Sequence, residues 1–194
     1  MLKLNNRLAK TALTLLIAMF AGAPAVAGDL QPRVEASRAA AKQLFETLRD
    51  EMQTAVQSGG PVAGIEVCHD KAQALSRKVS EEKGWQVGRT SLKIRNPKNA
   101  PDAWETQVLE EFQKRKAAGE SLEDMEKSEV VTDGGKQYFR YMKAIPLGGV
   151  CSNCHGPVLK PEVVEKLDEY YPQDKARGFQ VGDLRGAFTI KQPM

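Results

Sequence analysis

Cys151-Ser152-Asn153-Cys154-His155 sets two thiols three residues apart, with an imidazole directly after the second. Thiols at that spacing can add to the two vinyl groups of one porphyrin, and the next residue then falls beneath the metal, where an imidazole nitrogen binds iron. The chemistry is covalent attachment of a single haem c through Cys151 and Cys154, with His155 on the iron. Gly148-Gly149 before the motif and Gly156-Pro157 after it let the backbone turn around a flat macrocycle. A dithiol redox site would sit at a helix start in a βαβ setting, which the glycine-rich flanks do not suggest. A structural zinc site wants four ligands, and the chain has three Cys and two His with only one Cys-x-x-Cys pair.

The second axial position has several candidates: Cys68, His69, Met125, Met142, or an open site. Cys68 and His69 are neighbours on a helical segment, so they point about 100° apart and only one can face the metal. The apolar stripe of that segment includes Cys68 and omits His69, but a buried free cysteine is also an ordinary core residue. Arg89 and Arg95 fall on one face of an alternating segment, with Lys93 between them. Arginine forks suit the carboxylates of haem propionates; a solvated strand face would look the same in sequence.

The elements that must carry these residues are readable from periodicity. Arg33 to Ser58 repeats apolar residues at three and four, and Ser58-Gly59-Gly60-Pro61 divides it from a second helix, Val62 to about Glu82. Trp85 to Arg95 alternates as a strand. Ala103 to Ala118 predicts a helix. Met125–Val131 and Lys136–Ile145 predict a hairpin about Asp133-Gly134-Gly135. A short helix, Pro161–Tyr170, and a last strand, Asp183–Ile190, complete the pattern. Helices grouped before and between antiparallel strands predict an α+β fold with an N-terminal helix pair.

Lys3, Arg7 and Lys10 precede the apolar run from Ala12 to Ala23, and Ala25-Val26-Ala27 offers small residues for cleavage. This predicts a signal peptide over residues 1–27, a mature domain over 28–194, and export to the periplasm. Lys10 stops the apolar run short of the roughly 20 residues that a membrane span needs, so no membrane association is expected after cleavage. The whole chain has 28 basic and 25 acidic residues, and the signal holds three of the basic ones, leaving 25 of each. A neutral mature chain gives no support to a nucleic-acid partner. Three cysteines in an oxidising compartment leave one unexplained by pairing.

Several segments together resemble one family. They are Ile65-Glu66-Val67-Cys68, the run from Val87 to Pro97 (VGRTSLKIRNP), Asn99-Ala100-Pro101-Asp102 with Trp104-Glu105, the Cys151–Gly156 motif, and the stretch from Tyr171 to Phe179 with Gly182-Asp183 and Arg185-Gly186. The chain is similar to single-haem c-type proteins of PAS-like fold, long catalogued only as a domain of unknown function. Relatives occur alone or as extracytoplasmic sensor parts of histidine kinases and chemoreceptors. The resemblance implies a PAS-like antiparallel sheet of about five strands. It also implies His/Cys ligation, with Cys68 opposite His155; a His beside the ligand position departs from the family pattern and opens a ligand swap on reduction.

The expected function is redox or small-ligand sensing, with a gaseous molecule as one class of signal. The last strand ends close to Met194, so a separate redox partner or signalling protein would have to read any change. The competing readings are a soluble electron carrier and a haem enzyme of peroxidase or nitrogen-oxide-reducing type. An enzyme would need an open distal side and an acid–base residue, for which His69 is the histidine left.

Overall fold

The computed structural model describes residues 29–194; the expected signal peptide lies outside them. The described chain is α+β: helices pack on both faces of a four-stranded antiparallel sheet. In chain order the elements are α1 (Gln31–Asp70), α2 (Ala72–Lys83), β1 (Gln86–Thr90), a 3-10 turn (Pro97–Asn99), α3 (Ala103–Ala117), β2 (Glu126–Asp133), β3 (Lys136–Pro146), α4 (Ser152–His155), α5 (Pro161–Tyr170) and β4 (Leu184–Pro193). The strand order is β1-β4-β3-β2, one strand fewer than the five implied by the resemblance. Among the described residues no helix is long and apolar enough to cross a membrane.

α1 starts with Pro32 in its first turn, where a missing N–H costs nothing. Val34, Ser37, Ala40, Ala41 and Leu44 form its buried stripe. They pack on one sheet face against Val87, Phe139, Tyr141, Phe188 and Ile190. The small residues let the helix approach the strands closely, and Gln192 Nε2 donates to Ser37 Oγ at 2.8 Å beneath it. At Gly60 the backbone turns to φ 73°, a conformation that costs glycine little, and Pro61 cannot supply a helical N–H. The expected boundary is therefore there, as a kink between two arms. The second arm stops at Asp70, and α2 begins afresh at Ala72, so the stretch from 62 to 82 is two helices rather than one.

α3 covers the other face. Asp102 accepts from Glu105 N–H while Glu105 accepts from Asp102 N–H, a reciprocal cap. Val108, Leu109 and Phe112 then meet Met125, Met142, Ala144 and Ala187. Arg140, 4% exposed, secures the cap by donating to Asp102 Oδ2 at 2.8 Å and Glu105 Oε1 at 3.1 Å. The hairpin pairs Asp133 with Lys136 across Gly134-Gly135.

The largest departure from the sequence pattern follows Thr90. Strand β1 ends there, although alternation continues to Arg95. Ser91 Oγ donates to Arg185 O at 2.7 Å, and Ile94 O accepts from Lys175 N–H at 2.9 Å. These bonds turn the segment away from the sheet and toward the loop before β4. Arg89 and Arg95 consequently do not share a strand face.

Candidate functional site

The Cys-x-x-Cys-His segment occupies the single turn α4. Cys154 and His155 N–H groups both donate to Cys151 O, at 3.2 and 3.0 Å, so the two thiols and the imidazole leave one helical turn. Gly156 closes it: a Cβ there would lie 2.5 Å from Ser152 O. The loop between α5 and β4 clamps the turn from outside. Phe179 N–H donates to His155 O and Gly178 N–H to Gly156 O, each at 3.0 Å.

His155 is oriented by its own ring. Nδ1 lies 2.7 Å from Ala176 O, a carbonyl that can only accept, so Nδ1 carries the proton and Nε2 is the lone-pair nitrogen, with Arg95 Nη1 as a long donor 3.5 Å away. Arg185 Nε, 3.3 Å from Nδ1, is then a neighbouring cation rather than a donor to that nitrogen. Burial, Arg185 and Arg95 hold the His155 pKa well below the usual imidazole value, so the ring stays neutral, the form that binds metals. Phe179 stands edge-on to the ring at 6.4 Å.

Arg95 ties the site together. Its guanidinium donates to both Asp174 oxygens at 3.1 Å, to Cys154 O at 2.6 Å and to Ala176 O at 3.1 Å. The Asp174 side chain is 1% exposed. Asp174 also accepts from Ala176 N–H and Arg177 Nε, both at 2.8 Å. Arg95 is thus engaged with the motif's own backbone and a carboxylate. Its place is a clamp on α4 and on the carbonyl that orients His155, not the free fork that a strand face would present.

Arg89 is different. Set at the end of β1, it makes no side-chain hydrogen bond among the described residues, and burial lowers its pKa, with the nearby Cys68 and Tyr171 opposing. The sequence pattern did not single out Arg185 in β4. Its guanidinium reaches Ser91 Oγ at 3.0 Å as well as the imidazole, and burial followed by Arg95 and Arg89 pushes its pKa down to about 10. The signal that could have found it is the Arg185-Gly186 pair within the quoted resemblance.

Cys68 closes the last full turn of α1. It is solvent-accessible, yet enough protein stands around it that burial raises its thiol pKa, with Arg89, Arg95 and Arg185 opposing and Cys151 adding. One turn earlier on the same face, Ile65 belongs to the cluster against which Cys154 packs. Burial likewise pushes the Cys154 thiol up to about 11, with Cys68 and Cys151 adding to the rise. Cys68 and the two motif thiols thus stand near enough to influence one another's ionisation. His69 has partners of its own: its ring stacks on Tyr170 at 4.4 Å, and Nδ1 lies 2.7 Å from Asp70 Oδ1. Met125 and Met142 are fully buried under α3. Among the described residues no cluster of three His, Cys, Asp or Glu side chains converges as a bare-ion site requires.

An α+β domain with this motif held against this sheet has clear kin: the chain belongs to the Tll0287-like family, whose model matches residues 29–193. A similar solved structure is that of the cyanobacterial heme-protein Tll0287, at 26% identity and a TM-score of 0.60 over 86% of this chain and 96% of that one. No curated protein matches the chain.

Proposed function

We propose that this chain is a periplasmic c-type haem protein that senses redox state or a small ligand. One haem is attached through Cys151 and Cys154, and its iron is held between His155 and Cys68. The reading is carried by one observation: the Ala176 carbonyl holds the His155 Nδ1 proton, so that Nε2 bears the lone pair, met only by a long contact from Arg95 at 3.5 Å, on the same turn as two thiols. Likeness to a solved haem protein supports it, as does the signal-like N-terminus.

Haem bound here supplies a one-electron Fe(III)/Fe(II) couple. The chain's residues set its terms. Arg95 and Asp174 fix α4, so His155 is the rigid side. Cys68 sits on a separate short arm, between the Gly60 kink and the break at Lys71, that this clamp does not hold. A thiolate donor favours the oxidised iron, and release of Cys68 would free one coordination position. Arg89, without a protein partner, is available to a propionate. The PAS-like label fits helices laid on an open antiparallel sheet, and a separate redox partner or signalling protein would read the movement of the arm. A ligand carried on a separate arm, outside the Arg95–Asp174 clamp, favours sensing over plain electron carriage, which needs both ligands fixed.

The test is spectroscopic. Mature protein made in a host competent for cytochrome c maturation should keep its pigment in acidified acetone and show a low-spin ferric spectrum of thiolate type. Cys68→Ala should abolish that signature and His69→Ala should leave it. The opposite outcome removes the ligand assignment, and colourless protein removes the whole reading. Carbon monoxide binding to the reduced protein separates the roles: ready binding supports sensing, and none at any pH leaves an electron carrier.

A further inference from the structure

The sheet has two edges, and they are finished differently. At β1, Val87 N–H donates to Ser80 Oγ at 2.9 Å, and the Val87 carbonyl accepts from the same hydroxyl at 3.1 Å. The other edge is β2. Ala144 N–H donates to Met125 O at 2.9 Å, and Glu126 stands opposite Lys143. Bonded pairs alternate along an antiparallel ladder, so the odd-numbered residues of β2 turn their backbone groups to β3 and the even-numbered ones turn theirs outward. Arg115 Nη1 takes the outward Glu126 O at 3.2 Å. The outward N–H and C=O groups of Ser128, Val130 and Thr132 meet no protein group among the described residues, and all three residues are exposed.

Edges left to solvent are commonly blunted by a bulge, a proline, a short strand or a free charge. β2 runs eight residues, EKSEVVTD, in unbroken register with β3. Its charges are each taken up within the chain: Glu126 by Arg38, Lys127 by Glu111, Glu129 by Trp104 Nε1 and Asp133 by Lys191. Val130, 39% exposed, lies at the centre of the open stretch on the α1 face, opposite Phe139.

We propose that β2 pairs antiparallel with β2 of a second copy of this chain, about a two-fold axis that passes through Val130 perpendicular to the sheet. Opposed residues must share a face, and outward groups must meet outward groups; both conditions set even-numbered residues against even-numbered ones. Val130 then exchanges bonds with the partner's Val130, their Cα atoms about 5.5 Å apart, and Ser128 does so with the partner's Thr132. Lys127 stands opposite the partner's Asp133 at each end. Glu111, Lys127, the partner's Asp133 and the partner's Lys191 therefore alternate in sign. A shift of two residues one way sets Glu129 against the partner's Glu129, and the other way against the partner's Asp133, so charge selects the register. Larger shifts shorten the paired length. None of these residues enters the haem reading. Strand pairing alone makes a small interface, and the dimer is accordingly weak, roughly micromolar.

Sedimentation velocity of the mature protein, pigmented or not, tests this over a dilution series from low to high micromolar. A monomer–dimer equilibrium should appear. Val130→Lys sets two ammonium groups face to face on the axis and should weaken dimerisation about tenfold or more, with circular dichroism unchanged. Lys127→Glu and Asp133→Lys should each weaken it comparably, because each places like charges together at both ends. Mixed in equal amounts, those two proteins should dimerise at close to the parent's strength, since every opposed pair then carries opposite charges. A parent that stays monomeric at the highest concentration overturns the proposal. So does a dimer indifferent to Val130→Lys, or a mixture as weak as its components, because either outcome means another face or another register.

Discussion

Arg95 and Asp174 meet in a buried two-pronged ion pair, each contact 3.1 Å long, between residues 79 apart in the chain. The same guanidinium holds Cys154 O, and the same carboxylate holds Ala176 N–H, whose own carbonyl orients His155. One pair thus joins the loop after β1, the turn α4 and the loop before β4.

Removing one partner leaves the other charge buried and unpaired, a loss of roughly 3–5 kcal/mol. Asp174→Asn should therefore lower the melting temperature on the order of 10 °C. Arg95→Lys keeps the charge but loses the fork, and should fall between that variant and the parent. Thermal unfolding followed by circular dichroism checks both, and a melting point for Asp174→Asn unchanged within error would contradict the clamp.

Gly156→Ala introduces a Cβ at 2.5 Å from Ser152 O. The turn that carries both thiols would have to open, at a cost of about 1–3 kcal/mol. Urea denaturation should show that loss, and the fraction of purified chain carrying pigment should fall with it. Full pigment and full stability together would mean the close approach does not matter.

Arg89→Gln removes a cation beside Cys68. A positive charge near the iron favours the reduced state, so its loss should lower the reduction potential on the order of tens of millivolts. Redox titration of the pigmented protein measures the shift, and a rise in potential would show that Arg89 does not act through its charge.

Glu126 lies below the ordinary carboxylate pKa because Arg38 donates to it, with Tyr141 Oη adding a bond at 2.7 Å against opposing burial. A carboxylate depressed in the folded state contributes stability above its unfolded pKa, about 4.3. That contribution is lost as pH falls through the folded value. Glu126→Gln should thus be less stable than the parent at pH 7 and lose less on going to pH 3. Urea midpoints across that range decide it: parallel curves would exclude Glu126 as a source of acid sensitivity.

Much of the local architecture was legible in the residues. The Gly60-Pro61 break, the helix start at Ala103, the Gly134-Gly135 hairpin and the helix Pro161–Tyr170 depend on neighbours a few positions away. The alternation from Trp85 to Arg95 misled because period-two patterning reports a buried face without saying what buries it. Beyond Thr90 the burying partners are mixed: Leu92 packs with the α3 cluster, Ser91 bonds Arg185 and Arg95 grips the motif. Arg185 escaped notice because its partners, His155 and Ser91, are 30 and 94 residues away, and the Arg185-Gly186 pair names no role by itself.

By itself the amino-acid order determined that two thiols and an imidazole leave one short turn, because a single helical turn cannot separate residues 151, 154 and 155. It could not decide which imidazole nitrogen carries the proton, what the His69 ring stacks on, or what Arg95 grips. Those answers lie in contacts with Ala176, Tyr170 and Asp174. Burial makes these contacts decisive: away from water, each polar group takes the partner that the packed chain brings to it.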